Sequence, residues 1–364
     1  MTNQSLMLEH CEMNATNITS SIILTYSYYF DGILVTVFGF IGLIGNIFTL
    51  VILKHPKFKS CFYQLLHALA CFDTLFILFG GIKYVFRGLD LEKNIFIILF
   101  PFLIHPFAFI GMSGSIFMTV AISIERFLGI CFPFKFPTST RKAWFYIAPV
   151  CIISIGINIP RFFDAVLIWE EGQPIYQVTP FRTSESYIRI YQTYFNISFS
   201  ALLPLFTMVL INIRIILTIR NVKIKRFRCK GKLQKEVNLY FILLIVVSIF
   251  FMLFIPRVIV DIYEFLHIED IIACRNNGYH FMPTIFIRCL IHVSHFTSIV
   301  NSSINFFIYC FVGKTFQQEI FRLTGCSSWI RSEENSRKYQ SISMRSVERT
   351  TETRLFIDIL NVDK

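Results

Sequence analysis

The chain has 364 residues, 54% of them hydrophobic and 16% charged, with 42 phenylalanines and a mean hydropathy of +0.60. That composition excludes a soluble globular domain and calls for many membrane spans. A formal charge of +11 does not indicate nucleic acid, because the lysines and arginines gather in short segments between apolar runs, where they report orientation.

Residues 1–32 read as a polar extracellular tail. Glu9 and Glu12 stand where a signal peptide would be basic and then apolar, so the first span is expected to act as its own insertion signal. Asn3, Asn14 and Asn17 each open an Asn-X-Ser/Thr acceptor for glycosylation, which matters only on the lumenal side. Apolar windows of about 20 residues then give seven spans: Ile33–Leu53, Phe62–Ile82, Ile104–Ile124, Ala143–Phe163, Phe195–Leu217, Leu239–Val260 and Thr284–Phe311. Lys54, Lys57 and Lys59, then Lys135, Arg141 and Lys142, then the run Lys223 to Lys235 crowd alternate loops, while the other loops mix signs, Lys83 and Arg87 among them. Positive charge on alternate loops places the N-terminus outside and the C-terminus in the cytoplasm. The expectation is an all-α membrane protein, a seven-transmembrane helix bundle filling 33–311. A short amphipathic membrane-surface helix at 312–326 follows, with Phe316, Ile320 and Phe321 on one side, and then a disordered cytoplasmic tail at 327–364. Cys326 is a candidate for palmitoylation.

Of the ten cysteines, Cys71, Cys151, Cys289 and Cys310 fall in apolar spans and read as small buried hydrophobes. Cys11 and Cys274 share the oxidising face, which allows a bridge between them. The polar residues inside the spans are few: Asn46, Asp73, Ser115 and the run Asn301-Ser302-Ser303-Ile304-Asn305-Phe306-Phe307-Ile308-Tyr309. The third span ends in Glu125-Arg126-Phe127, and Pro204 and Pro256 interrupt the fifth and sixth. An ionisable residue in a span is expensive and marks a functional site.

This ordered set, Gly45-Asn46, Leu69-Ala70-Cys71-Phe72-Asp73, the acid-Arg-aromatic end of the third span and the seventh-span run, resembles the rhodopsin-like G-protein-coupled receptors. Asn158-Ile159-Pro160-Arg161-Phe162, and Phe306 where most relatives have Pro, look like the invertebrate FMRFamide-type neuropeptide receptors. The resemblance implies a plasma-membrane receptor that carries no enzyme activity, binds an extracellular peptide and passes the signal to a heterotrimeric G-protein, with arrestin meeting the tail. It implies that Glu125, Arg126 and Phe127, with Asn305 and Tyr309, form the switch facing the G-protein. A surface ion pair there is worth about 0–1 kcal/mol and is easily tipped. Pro204, Phe250, Phe254 and Pro256 are implied as the hinge. Asp73, Ser115, Asn301, Ser302 and Asn305 are implied as a sodium pocket, the alternative being a polar knot that glues helices.

Departures from the pattern are visible. Phe254 replaces the usual sixth-span Trp, Asn212 stands where the fifth span usually has Tyr, and the Cys pair that normally joins the third span to the next outer loop is missing. An opsin needs a seventh-span lysine and an amine receptor an acid in the outer third span, and neither is present. The outer rim supplies the ligand candidates Arg161, Asp164, Glu170, Glu171, Arg257, Asp261, Glu264, Arg288 and His292. An Arg-Phe-amide end would want a carboxylate and an aromatic pocket. Asp261 and Glu264 are the first choice and Glu170 and Glu171 the second. Two alternatives stay open: a receptor of the same fold for another peptide, and an ion-coupled transporter in which Asp73 is the coupling site.

Overall fold

The computed structural model describes residue 11 and residues 17–91, 93–133, 135–136, 142–225, 232–277, 279 and 281–323. Six helical stretches are long and apolar enough to cross a bilayer: α1 (Ser21–Leu53), α2 (Cys61–Gly88), α3 (Asn94–Cys131), α4 (Trp144–Phe163), α5 (Tyr187–Arg220) and Tyr240–Leu266, the apolar part of α6 (Lys232–Leu266). After a short outer helix, α7 (Ile268–Asn276), comes α8 (Ile285–Val312), which supplies the seventh span. The body closes at Tyr309, and α9 (Lys314–Leu323) belongs to a second unit beginning at Cys310. Within that unit Gln317 caps the backbone carbonyls of Cys310 and Phe311, and Arg322 pairs with Glu319 at 3.2 Å.

The helices are longer than the apolar windows. Helix already begins at Asn17, well before Ile33, and α2 runs through Lys83 to Gly88. Lys83 is therefore a helix residue and not the loop cation its charge suggests. It is 9% exposed, with its ammonium 4.8 Å from the Phe109 ring centre. A window that stops at the first charge misses such positions, because a cation over an aromatic face can stay inside a span.

Close approach of helices depends on small residues, as expected where lipid removes the hydrophobic drive for helix association. A Cβ on Gly111 of α3 would meet the backbone nitrogen of Phe76 in α2 at 2.6 Å, and one on Gly88 would meet that of Gly32 in α1 at 2.4 Å. These contacts lock α1, α2 and α3 into a tight trio. Long apolar side chains turn outward elsewhere, as at Phe40, Ile152, Met252 and Phe311. Cys71 is exposed and Cys151, Cys289 and Cys310 are half-buried, so they are not the fully buried small hydrophobes expected.

The outer loop between α4 and α5 is not irregular. Strands β1 (Ala165–Glu170) and β2 (Gln173–Val178) pair antiparallel, with Ala165 opposite Val178 and Glu170 opposite Gln173. The two turn residues, Glu171 and Gly172, have φ of 51° and 80°, the left-handed pair that a two-residue hairpin turn requires. Tyr176 of β2 stacks on Phe100 of α3 at 4.7 Å, and Gln173 accepts from Asn94. The hairpin thus rests on the outer end of α3.

Candidate functional site

At the inner end of α3, Arg126 donates to both oxygens of Glu125, from Nε at 2.5 Å and from a terminal nitrogen at 2.7 Å. Both residues are buried, Arg126 at 1% and Glu125 at 0% exposure, and the guanidinium lies 4.6 Å from the Phe62 ring centre. This corrects the surface-pair expectation. Removing one partner of a buried pair costs about 3–5 kcal/mol, so the lock is stiff. Phe127 of the same turn packs edge-on against Phe132. Tyr240 of α6 is buried and donates to the backbone carbonyl of Asn212 in α5, so a tyrosine hydroxyl bridges the two helices at the position where α5 itself carries Asn.

At mid-depth Asp73 is fully buried. Ser115 of α3 donates to one carboxylate oxygen at 2.6 Å and Asn305 of α8 to the other at 2.8 Å, while Asn46 of α1 donates to the backbone of Ser302. A cavity of about 20 Å³ adjoins them, lined among others by Ser115, Asn301, Ser302, Phe250 and Phe254. That is room for one water or one small ion. The Phe250 and Phe254 rings stack at 5.1 Å on the inner side of Pro256, which lies inside α6. Pro204 lies at the join where wide i→i+5 turns over Tyr187–Leu202 give way to ordinary α-helix from Leu203. Tyr309 is buried near the inner end of α8.

At the outer end the predicted rim residues part company. Asp164 is fully buried and ringed by donors. His105 lies 3.1 Å away and Arg161 3.6 Å, Tyr187 donates its hydroxyl, and Arg182 stands at 4.0 Å. Burial alone would raise its pKa, but the hydrogen bonds from His105 and Tyr187 and the charges of Arg161 and Arg182 hold it below the ordinary aspartate value. Asp164 is therefore not an open rim carboxylate. It ties α3, α4 and α5 together where the expected disulfide is missing. Arg161 is likewise internal, its guanidinium 4.1 Å from the Phe109 ring centre. Glu170 and Glu171 sit exposed at the hairpin tip.

Asp261 is buried and paired with Arg257 at 3.0 Å, which removes it as a free counter-ion. Glu264, one turn outward, lines a cavity of about 290 Å³ with Tyr263, Arg275, Tyr279, Phe281 and Ile291 between α5, α6, α7 and α8. Arg288 is half-buried on α8. His292 points at Asp31 of α1, 2.8 Å away, and His295 joins them at 3.2 Å. Sequence reading passed over Asp31, His105 and His295 because the apolar windows began after the first, and histidine was not counted among the intramembrane charges. Cys11 and Cys274 form a disulfide that fixes the tail to α7 beside the cavity. Asn17 opens the first helix, while Asn3, Asn14, Cys326 and the rest of 327–364 lie outside the described residues.

The model of the 7 transmembrane receptor (rhodopsin family) matches residues 45–309. The chain belongs to this family. The receptor is similar to the FMRFamide receptor of Drosophila melanogaster, 29% identical over 80% of this chain, which spans about half (53%) of that relative. It is 26% identical to the human B1 bradykinin receptor over 78% of this chain and 79% of that one. With the probable G-protein coupled receptor frpr-1 of Caenorhabditis elegans it shares 23% over 79% and 77%. As a rhodopsin-family receptor it is a multi-pass membrane signalling protein and not an enzyme, and the transporter reading falls with the family match.

Proposed function

We propose that the receptor sits in the plasma membrane with its N-terminus outside, binds an extracellular peptide of the FMRFamide kind and activates a heterotrimeric G-protein. The observation that carries this reading is the outer cavity, which offers one carboxylate, Glu264, among Tyr263, Tyr279 and Phe281. A guanidinium pairs with a carboxylate in two-pronged geometry, and a phenylalanine ring finds edge and face partners in the same wall. At about 290 Å³ the space is at the small end of ligand sites and takes the end of a peptide, leaving the remainder to the hairpin and the rim.

The oxygen-rich set at Asp73 suits a small hard cation, and sodium is the ion proposed there. Asp73 supplies the charge, with Ser115 and Asn301 beside it. On the inner side, Arg126 is proposed to leave Glu125 for the G-protein, with the loop cations after it as the landing surface and arrestin meeting the tail. A peptide of another sequence is the second reading, favoured by the similarity to the B1 bradykinin receptor.

The test is a panel of amidated peptides applied to cells expressing the chain, with calcium and cyclic AMP as readouts. A response to peptides ending in Arg-Phe-amide, lost with Glu264→Lys and with Arg126→Ala while surface expression persists, supports the proposal. Silence to those peptides alongside a response to others supports the second reading.

A further inference from the structure

The outer ends of α1 and α8 meet at three side chains that the peptide cavity does not use. His292 and His295 are spaced three apart on α8, so they share one face. Both direct Nδ1 at the carboxylate of Asp31 on α1, at 2.8 Å from His292 and at 3.2 and 3.3 Å to the two oxygens from His295. One ligand atom from each residue falls within 4.8 Å of the other two. We propose that Asp31, His292 and His295 form a binding site for a divalent first-row transition metal, zinc first among them.

The geometry is close to what such an ion needs. A tetrahedral zinc with bonds of about 2.0–2.2 Å holds neighbouring ligand atoms roughly 3.3 Å apart. The His295 contacts already have that spacing, and His292 has to retreat by about half an ångström. Asp31 is 3% exposed, so its carboxylate is shielded and held in place. The His295 ring is set by stacking on Tyr84 at 4.1 Å with 13° between the planes, the kind of outer support that orients a metal-binding imidazole. On binding, each neutral imidazole keeps its single proton, moved from Nδ1 to Nε2, so the exchange balances without another reactant.

Two imidazoles and one carboxylate select zinc, copper, nickel or cobalt over magnesium and calcium. With three protein ligands, a fourth position is left for water. Lys83 and Arg257 both act electrostatically on His295 and oppose a dication. Their repulsion lowers the affinity below that of a site without such neighbours. Because His292 follows Ile291, which lines the outer cavity, an ion joining α1 to α8 also stiffens one wall of that cavity.

The test needs no agonist. Full-length receptor, purified in detergent and stripped with a chelator, is melted in zinc chloride, with magnesium chloride as control. Free zinc at ten times the Kd multiplies the folded-to-unfolded ratio about tenfold, read as a saturable rise in Tm. His292→Gln and His295→Gln keep an N–H donor for Asp31 but bind zinc poorly, so both are expected to lose the rise, and His295→Cys to regain it. No rise in the wild type up to about 1 mM zinc overturns the proposal, as does an equal rise in both glutamine variants. Where those variants do not fold, cobalt(II) on the wild type decides. Ligand-field absorption without a thiolate charge-transfer band supports the site, and a thiolate band assigns the ion to the cysteines and overturns it.

Discussion

Asp164 decides between two accounts of the outer end, as ligand contact or as staple, and Asp164→Asn separates them because it keeps the shape and removes the charge. In the wild type the carboxylate is fully buried and faces Arg161 at 3.6 Å, His105 at 3.1 Å and the Tyr187 hydroxyl. Neutralising it leaves the Arg161 guanidinium, itself 7% exposed, without its counter-ion, a loss of about 3–5 kcal/mol for a buried pair. At roughly 2 °C per kcal/mol for a body of this size, that lowers Tm by roughly 6–10 °C. Asp164→Ala, which also strands the Tyr187 and His105 donors, falls further. The assay is thermal unfolding of purified receptor, with surface delivery and peptide potency measured on the same variants. Because the partners hold the folded pKa below the ordinary value of 3.8, this stabilisation is complete above that pH. It disappears only as the pH falls through the lowered folded value, so the Tm gap between wild type and Asp164→Asn stays constant from pH 5 to pH 8. A variant that melts within about 2 °C of wild type yet loses potency would refute the staple and restore Asp164 as a ligand contact.

Charge reversal at Glu264 is expected to reduce potency of an Arg-bearing peptide about tenfold or more, the loss of a charge-assisted hydrogen bond, with a smaller fall in Tm than Asp261→Lys, which sets a cation directly against Arg257, the ion-pair partner of Asp261 at 3.0 Å. Competition binding and melting curves on both variants check the difference. Asp73→Asn is expected to abolish any dependence of agonist affinity on sodium, measured by binding in sodium against a large organic cation; wild-type affinity indifferent to sodium counts against the ion. Glu125→Gln leaves Arg126 buried without its charge partner and is expected to raise agonist-free nucleotide exchange while lowering Tm by several degrees. Basal exchange equal to wild type argues against the buried lock.

The spans, Asp73 and the Glu125-Arg126 pair were legible because membrane-length apolar runs make any ionisable residue conspicuous. Cys11 and Cys274 could be matched by compartment alone. The outer cap was not legible. Ala165 to Trp169 is an apolar run of strand length, but its partner Gln173 to Val178 mixes apolar and polar residues, and only Gly172 hints at the turn that pairs β1 with β2. Lys83 and Asp31 were hidden because they lie just beyond the apolar windows, and His105 because histidine does not stand out as a charge, although an aromatic face or a polar partner holds each of them inside. Asp164 looked like a rim acid because sequence spacing cannot show that Tyr187 and His105, from two other helices, converge on it.

One helix runs past the outer cavity, the small mid-depth cavity and the inner contact with α5. From the outside inward α6 carries Glu264 at the cavity, the Arg257–Asp261 pair, Pro256, the stacked Phe254 and Phe250 beside the small cavity at Ser115 and Ser302, and Tyr240 against α5. Pro256 removes a backbone hydrogen bond partway along this helix, so the segments on either side can change angle without unwinding. A ligand shifts that angle only by the difference in its affinity for the two arrangements. The stiffness of the Glu125–Arg126 lock bears on how far it can go. Since separating a buried pair costs about 3–5 kcal/mol and allosteric couplings are about 1–3 kcal/mol, a peptide acting alone leaves most receptors closed. A receptor that couples as proposed has Arg126 exchange Glu125 for a new acceptor rather than simply lose it, and an inner partner is one source of that acceptor. Under the proposed function, opening is then favoured jointly by outer ligand and inner partner, each tightening the binding of the other by the same factor.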